Sequence, residues 1–133
     1  MLRIQLIQPR GILKVTEDGE VDLAKCQEYL RQIEAAAPAS TDYVILVDAR
    51  RRISKLSTTD LWYVAEALGE YGMTFRRRTA LLVRSGDIEM ARMLELFAVN
   101  RGFMVNAFSS YEDAMNWLLL PSEAGRVPEA MAA

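Results

Sequence analysis

The sequence predicts an α/β fold: a single domain with a mostly parallel five-stranded sheet, an N-terminal β-hairpin and four helices, in the order β-β-α-β-α-β-α-β-α. Three observations carry this expectation. Apolar residues recur at steps of three or four in several segments, the period of an amphipathic helix. Between those segments lie short, continuous apolar runs such as Tyr43-Val-Ile-Leu-Val47, the pattern of strands covered on both faces. The 133 residues suit one domain with one good core. Strands that alternate with helices place the helices on a central sheet through right-handed crossovers.

Arg3 to Gln8 alternates polar and apolar residues and predicts a strand. Pro9-Arg10-Gly11 is a turn signal, and apolar residues resume at Ile12, Leu13 and Val15, with Asp18-Gly19 closing the second strand of a hairpin. Glu17, Asp18, Glu20 and Asp22 read as an acidic turn whose spacing is not that of a calcium loop. Leu23, Cys26, Leu30, Ile33 and Ala37 share one helical face, and Pro38 ends that helix. Ala39 to Asp42 is a loop, and the buried strand from Tyr43 follows.

Asp48 to Leu56 reads as a polar, arginine-rich connection. Ser57-Thr58-Thr59-Asp60 resembles a helix N-terminus, with Ser57 as cap and Asp60 favoured by the helix dipole. Leu61, Val64, Ala65 and Leu68 form its buried stripe. Thr79 to Val83 is the next buried strand. Ser85-Gly86-Asp87 opens a helix that runs to about Asn100 and stops at Gly102. Phe103 to Phe108 is the last strand, and Ser110 with Asp113 starts a helix that buries Ala114, Trp117 and Leu118. The domain is expected to span 1–120. The segment 121–133, rich in Ala, Glu, Pro and Gly, is expected to be a flexible tail.

Composition narrows the function. Apolar residues make up 51% and charged residues 26%, an ordinary globular balance, and the net charge of −2 does not favour nucleic acid. The chain has no histidine, which excludes a histidine-based triad and any histidine-ligated metal. Cys26 is the sole cysteine, so no internal disulfide forms. The apolar run after Met1 is too short for a signal peptide, and no run is long enough to span a bilayer, so a cytoplasmic location is expected. No metal and no cofactor are expected.

Four segments carry a family resemblance: the strand Val44-Ile-Leu-Val-Asp48, the helix start Ser57-Thr58-Thr59-Asp60, the strand Ala80-Leu-Leu-Val83, and the ending Phe108-Ser-Ser-Tyr-Glu-Asp-Ala-Met-Asn-Trp-Leu118. Together they resemble the STAS superfamily, specifically its SpoIIAA-like branch, over nearly all of residues 1–120. The resemblance implies a regulatory module that acts through a protein partner. In the anti-sigma-factor antagonists of that superfamily an Asp-Ser-Ser-Gly motif starts a helix, and its second serine is phosphorylated by a partner kinase. The matching stretch is Leu56-Ser57-Thr58-Thr59, which makes Thr58 the implied phosphoacceptor with Ser57 beside it. The stretch departs from the motif where Leu56 replaces Asp and Thr59 replaces Gly. The resemblance also extends to lipid-binding carrier domains, so an apolar small molecule is an alternative ligand.

The residues add candidate sites of their own. Ligands of open α/β sheets bind beyond the C-terminal strand ends. That edge is expected to hold Asp48, Arg50, Arg51, Arg52, Arg84, Ser85, Ser109 and Ser110, an arrangement able to hold an anion. The competing reading makes Ser57, Ser85 and Ser110 plain N-caps and the arginines solvated. A second triplet, Arg76-Arg77-Arg78, precedes a strand, so the two triplets belong to opposite edges and form no single nucleic-acid surface. Met90, Met93, Leu96 and Phe97 lie on an unusually apolar helix and are expected to line a ligand pocket or a homodimer face, unless the last helix covers them through Met115 and Leu119. Trp62 and Tyr63 lie beside a core stripe and suit a pocket mouth or simple packing. Asp48 and Asp60 are the carboxylates available for acid–base work, but no nucleophile or phosphate loop accompanies them. The sequence therefore points to a binding module and not an enzyme. A carrier of an apolar molecule is the second reading, and an enzyme acting on an anionic substrate at this edge is the third.

Overall fold

The computed structural model describes residues 1–39 and 42–121. Strand β1 (Leu2–Ile7) pairs antiparallel with β2 (Ile12–Val21) across a turn that needs Gly11. Gly11 has φ +68°, and a Cβ there would lie 2.9 Å from the Asp42 carbonyl oxygen, so only glycine fits. Helix α1 (Leu23–Ala36) follows, then β3 (Val44–Ser54) and α2 (Thr58–Ala67), which ends in a 3₁₀ turn at Leu68–Tyr71. Strand β4 (Thr79–Leu82), helix α3 (Ile88–Val99), strand β5 (Val105–Phe108) and helix α4 (Tyr111–Leu118) complete the domain.

The sheet order is β1-β2-β3-β4-β5. It is a mixed sheet: β1–β2 is antiparallel, while β2–β3, β3–β4 and β4–β5 are parallel. Sequential parallel neighbours joined by right-handed crossovers put every connecting helix on one face. Helices α1, α2 and α3 accordingly cover one face, burying Leu13, Val15, Ile45, Leu81 and Val105. Helix α4 follows the last strand and, among the described residues, is the helix that covers the other face, over Ile12, Leu46, Ala80 and Leu82.

Three elements differ from expectation. Strand β2 does not close at Asp18-Gly19 but runs on to Val21, so the acidic turn is strand, and its last acid, Asp22, is the N-cap of α1, accepting from the Lys25 N–H at 2.9 Å. The arginine-rich stretch after Asp48 is not a connection but the second half of β3, which pairs in parallel with the extension of β2. Charge made both stretches look like loops, yet each satisfies the other's backbone. Ser85 makes no capping hydrogen bond; Ser85–Asp87 is a 3₁₀ turn and the α-helix starts at Ile88. The expected tail lies outside the described residues apart from Pro121.

The register of β2 on β3 shifts at Glu17. Thr16 faces Asp48 but Asp18 faces Arg51, so Ala49 and Arg50 together oppose Glu17. The extra residue on β3 is a β-bulge, and it inverts which side chains face the helices. Before it, Ile45, Val47 and Ala49 point inward; after it, Arg52 does. No helix among the described residues is long and apolar enough to cross a membrane.

Candidate functional site

The N-terminus of α2 is built as the sequence predicts. Ser57 accepts a hydrogen bond from the Asp60 N–H at 3.1 Å, and Asp60 accepts one from the Ser57 N–H at 2.9 Å. This reciprocal capping box anchors the first turn. Leu56 just before it is buried and pins the turn to the core, whereas Ser57, Thr58 and Thr59 are exposed. Trp62 and Tyr63, one turn further on, are 40% and 47% exposed and meet edge to face at 5.4 Å. Arg101 stacks over the Trp62 ring at 4.8 Å.

The arginines of the C-terminal edge are mostly committed. Arg50 grips Asp48 with two parallel hydrogen bonds of 2.9 and 2.8 Å and lies 5.9 Å from the Tyr111 ring. Those hydrogen bonds hold the Asp48 carboxyl below the usual carboxylate range, against burial that pushes it up. Arg84 bonds the Arg52 carbonyl at 3.0 Å and Asp87 at 3.1 Å. Arg51 is exposed. Ser110 caps α4, accepting from the Asp113 N–H at 3.2 Å. Asp48 and Asp60 each engage a partner of their own, so they do not stand as an open carboxylate pair.

Arg52 turns the other way. Its Nη1 donates to Glu17 Oε1 at 2.8 Å, with the two side chains only 11% and 5% exposed. This buried ion pair lines a cavity of about 70 Å³ between the sheet and helices α1–α3, walled by Cys26, Tyr29, Ile33, Val64 and Phe75 among others. Burial pushes the Cys26 thiol up to about 12, and the nearby Glu17 charge adds to the shift. The Tyr29 hydroxyl is likewise raised, by desolvation first and then by Glu17. Arg52, Leu81 and Leu94 also line a cleft of about 120 Å³ beside Leu56, Leu61 and Met90 at the start of α2 and α3. Sequence reasoning missed the pair because Glu17 looked like turn and Arg52 like loop; the 35-residue separation leaves no local signal.

The apolar helix α3 divides its methionines. Met93 and Phe97 pack against the main core, while Met90 and Leu96 are exposed. The second arginine triplet braces the opposite end of the sheet. Arg76 stacks on Phe103 at 4.1 Å, Arg77 stacks on Tyr43 at 4.5 Å and pairs with Asp42, and Arg78 donates to the carbonyls of Trp117, Leu120 and Pro121. Among the described residues no group of three or more potential metal-ligating side chains comes together.

No protein-family model matches the sequence, and no curated protein matches it. Solved structures do. An uncharacterized protein of the DUF3478 family with a SpoIIAA-like fold from Shewanella loihica PV-4 is similar at TM-score 0.59 and 19% identity, over 89% of this chain and 92% of that one. The anti-sigma factor antagonist SpoIIAA in its unphosphorylated form matches at TM-score 0.53 and 15% identity, over 89% and 97%. The Bacillus cell fate determinant SpoIIAA in its phosphorylated form matches at 0.50 and 14%, over 89% and 99%. Likeness at this identity carries the fold, and it agrees with the fold implied by the resemblance drawn from Val44–Asp48 and Phe108–Leu118: the chain has a SpoIIAA-like α/β fold.

Proposed function

We propose that this chain is a non-catalytic regulatory module that docks a protein partner at the N-terminal turn of α2, with Thr58 as the site of phosphoryl control. The carrying observation is the exposed Ser57-Thr58-Thr59 turn, held by a capping box and flanked by exposed Trp62 and Tyr63. Aromatic side chains beside an exposed hydroxyl suit a protein interface, because they bury much area with little loss of rotamer freedom. A phosphoryl group on Thr58 would sit at the positive end of the helix dipole, so modification would change the surface without melting α2. One neighbour in fold has been described in both phosphorylated and unphosphorylated forms, which supports the reading by analogy.

The non-catalytic part rests on the carboxylates. Asp48 is neutralised by Arg50 and Asp60 is tied into the cap, so neither is free to act as a base.

Intact-mass and phosphopeptide analysis of the protein purified from its own host tests the proposal. The expected result is a single phosphoryl increment mapped to Thr58 and removed by Thr58→Ala. An unmodified chain under every growth condition, or a phosphate mapped elsewhere, would sink it.

A further inference from the structure

Four guanidiniums line one cleft at the edge of the sheet where the parallel strands β3, β4 and β5 begin. Arg10 comes from the β1–β2 turn, and Arg76, Arg77 and Arg78 lead into β4. The cleft holds about 410 Å³, within the range of small-ligand sites. Its apolar wall is Met104 with the end of α4 at Leu118, Leu119 and Leu120. Asp42 is the one carboxylate among the described lining residues, so four positive charges stand against one negative in a chain of net charge −2.

Arg78 is a brace, its guanidinium taken up by the Trp117, Leu120 and Pro121 carbonyls. Arg76 and Arg77 are held by their faces instead, stacked on Phe103 at 4.1 Å and on Tyr43 at 4.5 Å. Stacking fixes a guanidinium in place and leaves the N–H fork along its edge for another partner. Among the described residues the Arg76 fork meets the Gly102 carbonyl alone, at a long 3.5 Å. Arg77 meets Asp42, whose side chain is fully exposed, and its Nε has no acceptor. Arg10 is exposed and has no ion-pair partner among the described residues.

We infer that this cleft binds a small phosphate monoester with an apolar body. The phosphate head lies among Arg10, Arg76 and Arg77, and the body lies against the exposed side chains of Met104, Leu119 and Leu120. A phosphate monoester brings close to two negative charges and three acceptor oxygens, which suits several guanidinium forks better than a singly charged head does. Arginines already fixed by stacking lose little freedom on binding. Arg77 gives up Asp42 at little cost, because an exposed ion pair contributes little. The cleft lies at the opposite edge of the sheet from Thr58 and does not depend on the reading of that residue.

Methyl-resolved NMR titration of the full chain with phenyl phosphate, phenyl sulfate and inorganic phosphate, at fixed salt and a pH well above the second phosphate ionisation, tests the inference. The two esters share a body and differ in charge, and inorganic phosphate is the head alone. Phenyl phosphate is expected to shift the Met104, Leu118 and Leu120 methyl signals saturably and to bind roughly tenfold more tightly than either comparison. Arg10→Gln combined with Arg76→Gln should weaken it by roughly tenfold, whereas Arg51→Gln, at the other edge, should leave it unchanged. Leu120→Ser should weaken phenyl phosphate and leave inorganic phosphate as it was. The ester comparison uses the unaltered chain, so it decides by itself if the double variant does not fold. Equal binding of the two esters, undiminished binding by the double variant, or an equal loss in Arg51→Gln would overturn the site. Tighter binding of a phosphotyrosine peptide than of phenyl phosphate would overturn the small-molecule ligand.

Discussion

Arg52 meets Glu17 inside the core, 35 residues away in sequence, with Nη1 2.8 Å from the Glu17 carboxylate. The contact exists because one extra residue on β3 inverts the side-chain alternation between Ala49 and Arg52. Without that bulge Arg52 would face the α4 side of the sheet, and Glu17 would be a buried, unpaired carboxylate.

The pair should therefore behave asymmetrically on mutation. Arg52→Met alone strands a buried carboxylate and is expected to destabilise the fold by about 3–5 kcal/mol. The double replacement Glu17→Leu with Arg52→Met should recover most of that loss, or exceed wild-type stability. Urea unfolding of the two singles and the double, read as a double-mutant cycle, checks this; additive losses would contradict it.

The α2 cap predicts a smaller effect. Ser57→Ala removes the acceptor for the Asp60 N–H and should cost about 1 kcal/mol, whereas Ser57→Asp keeps an acceptor and should cost much less. Thermal melts of the two variants give the comparison.

Cys26 predicts a base-sensitive fold. Its thiol stands at about 12 in the folded protein against an ordinary 9.0, so the folded state holds the proton more tightly than the unfolded chain. That contribution is fully present below pH 9.0 and is lost as pH rises from there towards about 12. Unfolding free energies across this range should fall less steeply for Cys26→Ala than for wild type. At neutral pH a disulfide reagent should label the thiol only as fast as the domain opens.

Asp48 acts at the other end of the scale. Its carboxyl is held low by Arg50, so its contribution is present above the usual carboxylate value and is lost as pH falls through the lowered one. Asp48→Asn should flatten the acid limb of the stability profile and leave the neutral region nearly unchanged, since Arg50 is half exposed and solvent screens the pair.

Arg78 fastens the end of α4 through the Trp117, Leu120 and Pro121 carbonyls. Arg78→Ala should cost about 1–2 kcal/mol, below the sum for charged hydrogen bonds because two of the three contacts are exposed. Arg78→Lys should recover only part of it, because a point charge cannot reproduce the guanidinium fork. Amide hydrogen exchange should quicken first in the last turn of α4.

Local chemistry by itself determined the order of elements and much of the α2 site. The period of Leu23, Cys26, Leu30 and Ile33 makes a helix wherever it packs, Tyr43–Val47 is apolar enough only for a covered strand, and Ser57 with Asp60 closes its cap within four residues. Tertiary structure alone decided the fate of the charged stretches. Asp18–Val21 and Arg51–Ser54 look like solvated loops until each becomes the other's ladder, because backbone pairing depends on a partner strand that no local window contains. The same holds for the arginines: which are braces, which are neutralised and which lines a cavity follows from the sheet register. A one-residue shift in that register sends a side chain to the opposite face.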